Sequence, residues 1–295
     1  MITTLNNSIS ASVLDSDATD FIITCGITQS IPIRAINDCF RELKAADIWD
    51  CIYYGFAMIY AGTTQSMLVD IKSRTILTVS TSSTGSIDAP TYSNTGIQYN
   101  GGEFHSLSGY PFNFILSSNS APGHISIYNR TDYNSLGLTA TSKHGFLEFG
   151  GKEHSISFSP SGVSASLWNE SGPMSFTLSN TSGFFVFSNI DGNSGFTASV
   201  TNPYRFYLSR NGEIIGSQSS TRNYHTLGSN LLIGAFGSSI TSTTVRSIDE
   251  ICWYSIGSGF GLDSPSGRQI DINKQEIFFQ IIQKLQKSLN REKDT

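Results

Sequence analysis

The chain has 295 residues with a formal net charge of −5, and 14% of them are Asp, Glu, Lys or Arg, 38% hydrophobic and 12% aromatic. An average soluble protein is about 25% charged, so this mixture, in which one residue in six is Ser and 27 are Gly, excludes helical bundles, coiled coils and wholesale disorder. The acidic balance gives no general attraction to nucleic acid or an anionic membrane, and no stretch approaches the roughly 20 apolar residues of a membrane-inserted helix.

In chain order, residues 1–20 read as a polar N-terminal arm without a clear period. Met1 to Ser12 holds no Lys, Arg or long apolar run of the kind a signal peptide carries. Residues 21–60 read as a helical attachment segment leading into the sheet. Ser30 is the expected N-cap, Pro32 suits the first turn, and Ile33, Ile36, Cys39, Phe40 and Leu43 form one apolar stripe. The run Ile52–Tyr60 is expected to begin the sheet.

Residues 61–268 change to short strands punctuated by Gly, Ser, Asn and Pro. Strands are expected at Phe112–Leu116, His124–Tyr128, Phe146–Phe149, Ser155–Phe158, Met174–Leu178, Gly183–Phe187, Tyr204–Leu208, Leu231–Ile233 and Ile251–Tyr254. Alternation such as Phe185, Phe187 and Phe206, Leu208 predicts one face in a core and one wet. Arg210-Asn211-Gly212-Glu213 predicts a two-residue hairpin turn, since Asn-Gly supplies two positive-φ positions. In residues 269–295, Ile277, Phe278, Ile281, Ile282, Leu285 and Leu289 predict a helix over Asn273–Leu289, with Lys284, Lys287 and Arg291 near its negative end. The fold class is therefore mainly β, a two-sheet antiparallel sandwich with an N-terminal amphipathic helix and a C-terminal helix.

The four cysteines are too few and too scattered for a disulfide framework and read as small buried hydrophobes. Catalysis of glycoside hydrolysis needs two carboxylates flanking one bond; Asp249 and Glu250 are adjacent, hence on opposite faces of a strand, and Glu148 and Glu153 each stand alone. No Gly-x-Ser-x-Gly elbow or phosphate-binding loop occurs. The expectation is a protein that is not an enzyme. Aromatic residues near Gly, Ser and Asn remain as candidates for stacking on sugars: Trp168, Tyr92 and Tyr110, with Tyr99, Tyr133 and Tyr224 of the same type. Asp249 is a candidate ligand for a sugar or for calcium, weighed against a strand-end carboxylate bonding nearby N–H groups. Asp191-Gly192-Asn193 reads as a turn or as a calcium loop.

Three segments in order, Tyr204-Arg-Phe-Tyr-Leu-Ser-Arg-Asn-Gly-Glu-Ile-Ile-Gly-Ser, Leu231-Leu-Ile-Gly-Ala and Ile248-Asp-Glu-Ile-Cys-Trp-Tyr-Ser-Ile-Gly, resemble the C-terminal half of laminin-G-like, concanavalin-A-type jelly rolls. Ala18-Thr-Asp-Phe-Ile, Leu43-Lys-Ala-Ala-Asp-Ile-Trp-Asp and the closing Leu289-Asn290-Arg291 resemble modules of phage virion proteins, over roughly Asp20 to Arg291. The resemblance implies a jelly-roll structural component of a bacteriophage particle, such as a capsid decoration, head fibre or tail component. Its expected partners are capsid, portal or tail proteins in a homo-oligomer, its location is the virion, and calcium is the only cofactor it brings into view. The alternative is a carbohydrate-binding module that recognises host-surface glycan without catalysis. Residues 52–63 depart from the pattern of the related modules, which carry Ile-Tyr-Pro-Phe-Val-Gly-Gly-Thr where this chain has Ile52-Tyr-Tyr-Gly-Phe-Ala-Met-Ile-Tyr-Ala-Gly-Thr.

Overall fold

The structure is a computed structural model that describes residues 14–80, 88–107, 123–147, 153–167, 173–189, 204–220, 231–239, 242–262 and 269–291. Among the described residues three helices flank the strands: α1 (Ser16–Cys25), α2 (Ser30–Ala45) and α3 (Ile272–Ser288). The strands, in order, are β1 (Ile52–Phe56), β2 (Thr78–Ser80), β3 (Thr91–Tyr92), β4 (Ile97–Gln98), β5 (Phe104–Leu107), β6 (His124–Asn129), β7 (Ser142–Leu147), β8 (Glu153–Ser159) and β9 (Gly162–Leu167). They continue with β10 (Met174–Thr177), β11 (Gly183–Asn189), β12 (Tyr204–Arg210), β13 (Glu213–Ser220), β14 (Leu231–Ile233), β15 (Ala235–Ser239), β16 (Ser242–Arg246), β17 (Glu250–Gly257), and β18 (Gly261–Leu262) paired with β19 (Gln269–Ile270).

An eight-stranded sheet runs β13-β12-β11-β6-β17-β4-β3, and β1 also pairs with β17. A six-stranded sheet runs β10-β9-β8-β7-β15-β16, and a three-stranded sheet runs β14-β5-β2. The pairings are antiparallel except β15 with β7. Ile125, Ile127, Phe185, Phe187, Phe206 and Leu208 of the large sheet face Ile156, Phe158, Val163 and Leu167 of the six-stranded sheet in one core. Phe158 and Phe185 meet edge-on across it, with ring centroids 5.3 Å apart. This is the expected sandwich with helices at both ends of the chain.

The other face of the large sheet is not wet. Tyr128, Phe184, Val186, Cys252 and Trp253 pack against α1, α2 and α3 in a second core, so β6 and all of β17 beyond Glu250 are buried. The expectation of one solvated face is corrected here, and the reason lies in the side chains beneath the helices. His124, Ser126 and Ser255 alternate with the apolar residues as a wet face would, yet they satisfy one another. Ser126 and Ser255 share a hydroxyl hydrogen bond of 2.6 Å, Trp253 Nε1 donates to Ser126 at 3.1 Å, and a His124 ring nitrogen lies 2.6 Å from the Ser258 carbonyl. A bulge between Ile251 and Trp253 turns both Cys252 and Trp253 to the helix side before Tyr254 returns to the sandwich core.

The Asn211-Gly212 hairpin joins β12 to β13 with φ of 51° and 85°. Asn211 also exchanges two hydrogen bonds with Phe184: its N–H donates at 2.8 Å, and its Oδ1 accepts from the Phe184 N–H at 2.9 Å. Two helix details differ from expectation. Residues 16–25, placed with or beside the polar arm, form α1, capped by Asp15, whose carboxylate accepts from the N–H groups of Asp17 and Ala18. Ser30 is the first helical residue of α2, not its cap; Gln29 holds the cap position and makes no side-chain bond there. Cys25, Cys39 and Cys252 are buried free thiols, and Cys51 is half-buried.

Candidate functional site

All three helices end in the same turn. A residue in the left-handed region follows each, Gly26 (φ 67°), Asp47 (φ 54°) and Asn290 (φ 53°). The next N–H reaches back into the helix: Ile27 to Ile22 at 3.0 Å, Ile48 to Leu43 at 2.9 Å, and Arg291 to Gln286 at 2.8 Å. Such a turn tucks the residue after the left-handed one against the last turn of the helix. Ile27, Ile48 and Arg291 are accordingly at most 2% exposed. Where α1 and α2 bury an isoleucine, α3 buries a guanidinium.

The Arg291 head is held by backbone carbonyls. Nη1 donates to Met58 at 2.7 Å and Nη2 to Ala57 at 3.1 Å, while Nε has no partner. No carboxylate forms an ion pair with it among the described residues. Burial pulls its pKa down from the ordinary value, but an arginine stays charged. Arg130 donates through Nη1 to the Arg291 carbonyl and through Nε to Glu250 at 3.2 Å. Two arginines against one glutamate leave this seam positive by one charge.

Arg291 forms part of a cleft of about 530 Å³ between the N-terminus of α2, the segment after β1, the β3–β4 turn and the end of α3. That volume is within the range of small-ligand sites. Gln29, Ser30, Asn94, Ser288 and Asn290 bring exposed amides and hydroxyls to it, half-buried Tyr60 brings one aromatic ring, and Ile31, Pro32, Ile59 and Leu289 are apolar. At the α2 end, the Ile33 N–H makes the first helical bond, to Gln29 at 3.2 Å. The N–H groups of Ser30 and Ile31 have no helical acceptor, and Pro32 has no N–H. The first turn of α2 carries no acidic side chain. The lining contains no Asp, Glu, His or Cys, so it offers no acid–base pair and no thiol nucleophile. It can bind, through amides, hydroxyls and a ring, with positive charge behind.

The residues singled out by sequence lie elsewhere. Tyr92 is half-buried, and its hydroxyl is 2.8 Å from His105 Nε2, while the Tyr99 hydroxyl is 2.8 Å from His105 Nδ1. Burial lowers the His105 pKa to about 3, so the ring is neutral and one tyrosine donates to it while the other accepts. Tyr92 nevertheless begins the turn whose residue Asn94 lines the cleft. Asp249 is fully buried, 2.9 and 3.1 Å from His144 Nε2. Because His144 Nδ1 accepts from the Gly234 N–H at 3.0 Å, its proton sits on Nε2 and is donated to Asp249. The carboxylate offered as a sugar or calcium ligand is thus engaged inside the protein. Glu250, on the opposite face, pairs with Arg130. Tyr99 and Tyr133 are buried in the sandwich core. Trp168, Tyr110, Tyr224 and Asp191–Asn193 lie outside the described residues, as does the strand expected at Phe112–Leu116. No cluster of three or more His, Cys, Asp or Glu able to hold a metal occurs among the described residues.

The cleft residues escaped the sequence because they come from four distant segments. The one local signal was Leu289-Asn290-Arg291, where an Asn prone to positive φ after a helix marks a turn that buries the following residue. A second cleft, of about 450 Å³ between α2 and α3, has Ala45, Ala46, Ile277 and Ile281 in its walls and an ion pair between Lys284 and Glu42. It lacks the polar array of the first.

No protein-family model matches the chain, and no curated protein matches it. Among solved structures it is similar to a botulinum neurotoxin type C structure, whose cell entry is described as dependent on interaction with two ganglioside molecules. The identity there is 14%, over 81% of this chain and 53% of that one, with a TM-score of 0.48. It is also similar to domain 4 of an extracellular GH43 arabinanase from Geobacillus stearothermophilus, in complex with arabinotriose, at 13% identity, 73% and 93% coverage and a TM-score of 0.40. A third is the CBM40 of a Ruminococcus gnavus sialidase, at 12% identity, 55% and 89% coverage and a TM-score of 0.34. The chain spans about half the length of the neurotoxin chains. Likeness at this level carries nothing about a site or a ligand. The expected role as a bacteriophage virion component is corrected on this finding: the similar structures are neurotoxin binding domains, a receptor-binding domain, an arabinanase domain and a CBM40, and none of those named is a virion protein.

Proposed function

We propose that this chain is a carbohydrate-binding module without catalytic activity, and that the cleft between α2, the β3–β4 turn and α3 is where it holds a glycan. The observation that carries this reading is the composition of the lining. Amides and hydroxyls from three separate elements line the cleft together with half-buried Tyr60, and no carboxylate is among them. Sugar rings present an apolar face that stacks on an aromatic residue and a rim of hydroxyls that both donate and accept; Asn, Gln and Ser do the same. Glycoside hydrolysis needs two carboxylates about 5–10 Å apart across the scissile bond, and the lining supplies none.

A cleft of this kind binds weakly, at about −4 kcal/mol per site for a millimolar Kd, so the module works through repeated presentation of one glycan. The test is a glycan array probed with the full chain immobilised at high density, followed by titration of each hit in solution. Retention of a defined glycan set, with no sugar released, is the expected result. Tyr60→Ala should weaken the hits about tenfold, or about 1.4 kcal/mol, near the upper end of what an aromatic pair is worth beyond its buried area. A silent array, or hits unaffected by Tyr60→Ala, removes the reading.

A further inference from the structure

We propose that the sugar this cleft takes is an acidic one, whose carboxylate is seated at the N-terminus of α2 above Arg291; the proposal rests on the carbohydrate-binding reading and names the class of its ligand. Two independent observations meet in the cleft. The first is the start of a 16-residue helix whose leading N–H groups, on Ser30 and Ile31, have neither a helical acceptor nor a capping side chain. Aligned peptide dipoles place about half a positive charge there, and N–H groups so placed bind anions well. The second is Arg291, buried, lining the same cleft, with its Nε unpartnered and no carboxylate paired to it among the described residues.

A buried cation is costly unless an anion compensates it. The nearest acid, Glu250, is engaged by Arg130 and by the Thr95 hydroxyl. The two backbone carbonyls on the Arg291 head satisfy hydrogen-bond geometry but bring no full negative charge. A carboxylate entering from the cleft accepts from the Ser30 and Ile31 N–H groups and supplies the missing negative charge over Arg291. The ring that carries it then faces Tyr60, Asn94 and Asn290. A neutral sugar makes only the second set of contacts.

The experiment titrates the full chain, by NMR or calorimetry, with three probes: methyl glucuronoside, methyl glucoside and sodium acetate. The expected result is that the glucuronoside binds at least about tenfold tighter than the glucoside, the factor a hydrogen bond to a charged group is worth, and that added salt narrows the difference. Acetate alone should bind more weakly than the glucuronoside. Gln29→Asp places a carboxylate at the α2 cap, where Asp is favoured, so the variant folds while its own side chain occupies the anion position. The ratio of acidic to neutral affinity should fall about tenfold in it, by the same measure. Equal affinity for the two glycosides, or a ratio untouched by Gln29→Asp, overturns the acidic-sugar assignment and leaves the module reading standing. Acetate binding as tightly as the glucuronoside overturns it as well, because the ring would then contribute nothing. Failure of both glycosides together with a silent array removes the module reading itself.

Discussion

His105 and His124 show how far this protein goes to hold polar groups away from water. Burial lowers their pKa values from 6.5 to about 3 and about 4, the second despite a bond from the His124 ring to the Ser258 carbonyl. In the unfolded chain both return to about 6.5. Between pH 6.5 and 4 the unfolded state therefore binds protons that the folded state refuses. The stability is complete above pH 6.5 and is lost as pH falls toward the folded values, by roughly 1.4 kcal/mol per pH unit for each histidine. Asp70, whose carboxyl pKa is raised by burial, acts in the opposite sense, because the folded chain holds that proton more tightly than the unfolded one. A comparison with a variant separates the two. Urea denaturation at pH 7 and pH 4.5 should show a loss of stability that is smaller by roughly 2–3 kcal/mol in His124→Asn than in the parent chain. An equal loss in both would show that His124 takes up its proton while folded.

At the scale of elements, Phe278 on α3 joins the helix layer to the sheet. Its ring lies 5.1 Å from Phe184, 5.6 Å from Phe260, 6.1 Å from Trp253 and 6.3 Å from His124. Phe278→Ala leaves a hole that neighbours on two layers cannot close, and a cost of about 3–5 kcal/mol follows, read as a lower midpoint in thermal or urea unfolding. Phe279→Ala, one residue on and only partly buried, should cost less than half as much, which separates the hub from general helix packing. Phe278 was legible in the sequence because the stripe Phe278, Ile281, Ile282, Leu285 has helical spacing. So were the central strands and the Asn211-Gly212 turn, since period-two alternation and positive-φ chemistry are local properties. Helix α1 was legible but missed: Asp15 and Gly26 bracket Ala18, Phe21, Ile22 and Cys25 at helical spacing, and reading residues 1–20 as one polar arm cut that pattern in two. The second buried face was not legible. Ser126, Ser255 and His124 look solvated in sequence, and only the strand order and the bulge near Cys252 bring them under helices. The cleft was least legible, because Gln29, Tyr60, Asn94 and Arg291 become neighbours only in three dimensions.

At the scale of the whole molecule, the central strands of the large sheet, β6, β11 and β17, are buried on both sides, so neither the six-stranded sheet nor the helix layer can leave without exposing them. Trp49 packs on Phe40 of α2, with ring centroids 4.8 Å apart, and Trp253 lies on the sheet beneath α3. If the three layers share one cooperative unit, the helical circular dichroism signal, tryptophan fluorescence and near-ultraviolet dichroism should lose their native values at a common urea midpoint. A helix layer attached only loosely would melt first, and the helical signal would fall ahead of the others. The cleft gives this test a second arm. Its walls come from α2, α3 and the β3–β4 turn at the edge of the large sheet, so a ligand held there binds only when helix layer and sheet are both in place. A ligand at 100 times its Kd stabilises a folded state by about 2.7 kcal/mol. Within one cooperative unit, a saturating glycan should raise the midpoint seen by all three probes equally. A rise confined to the helical signal would mean that the helices and the sheet unfold separately, and that the glycan rests on the helices alone.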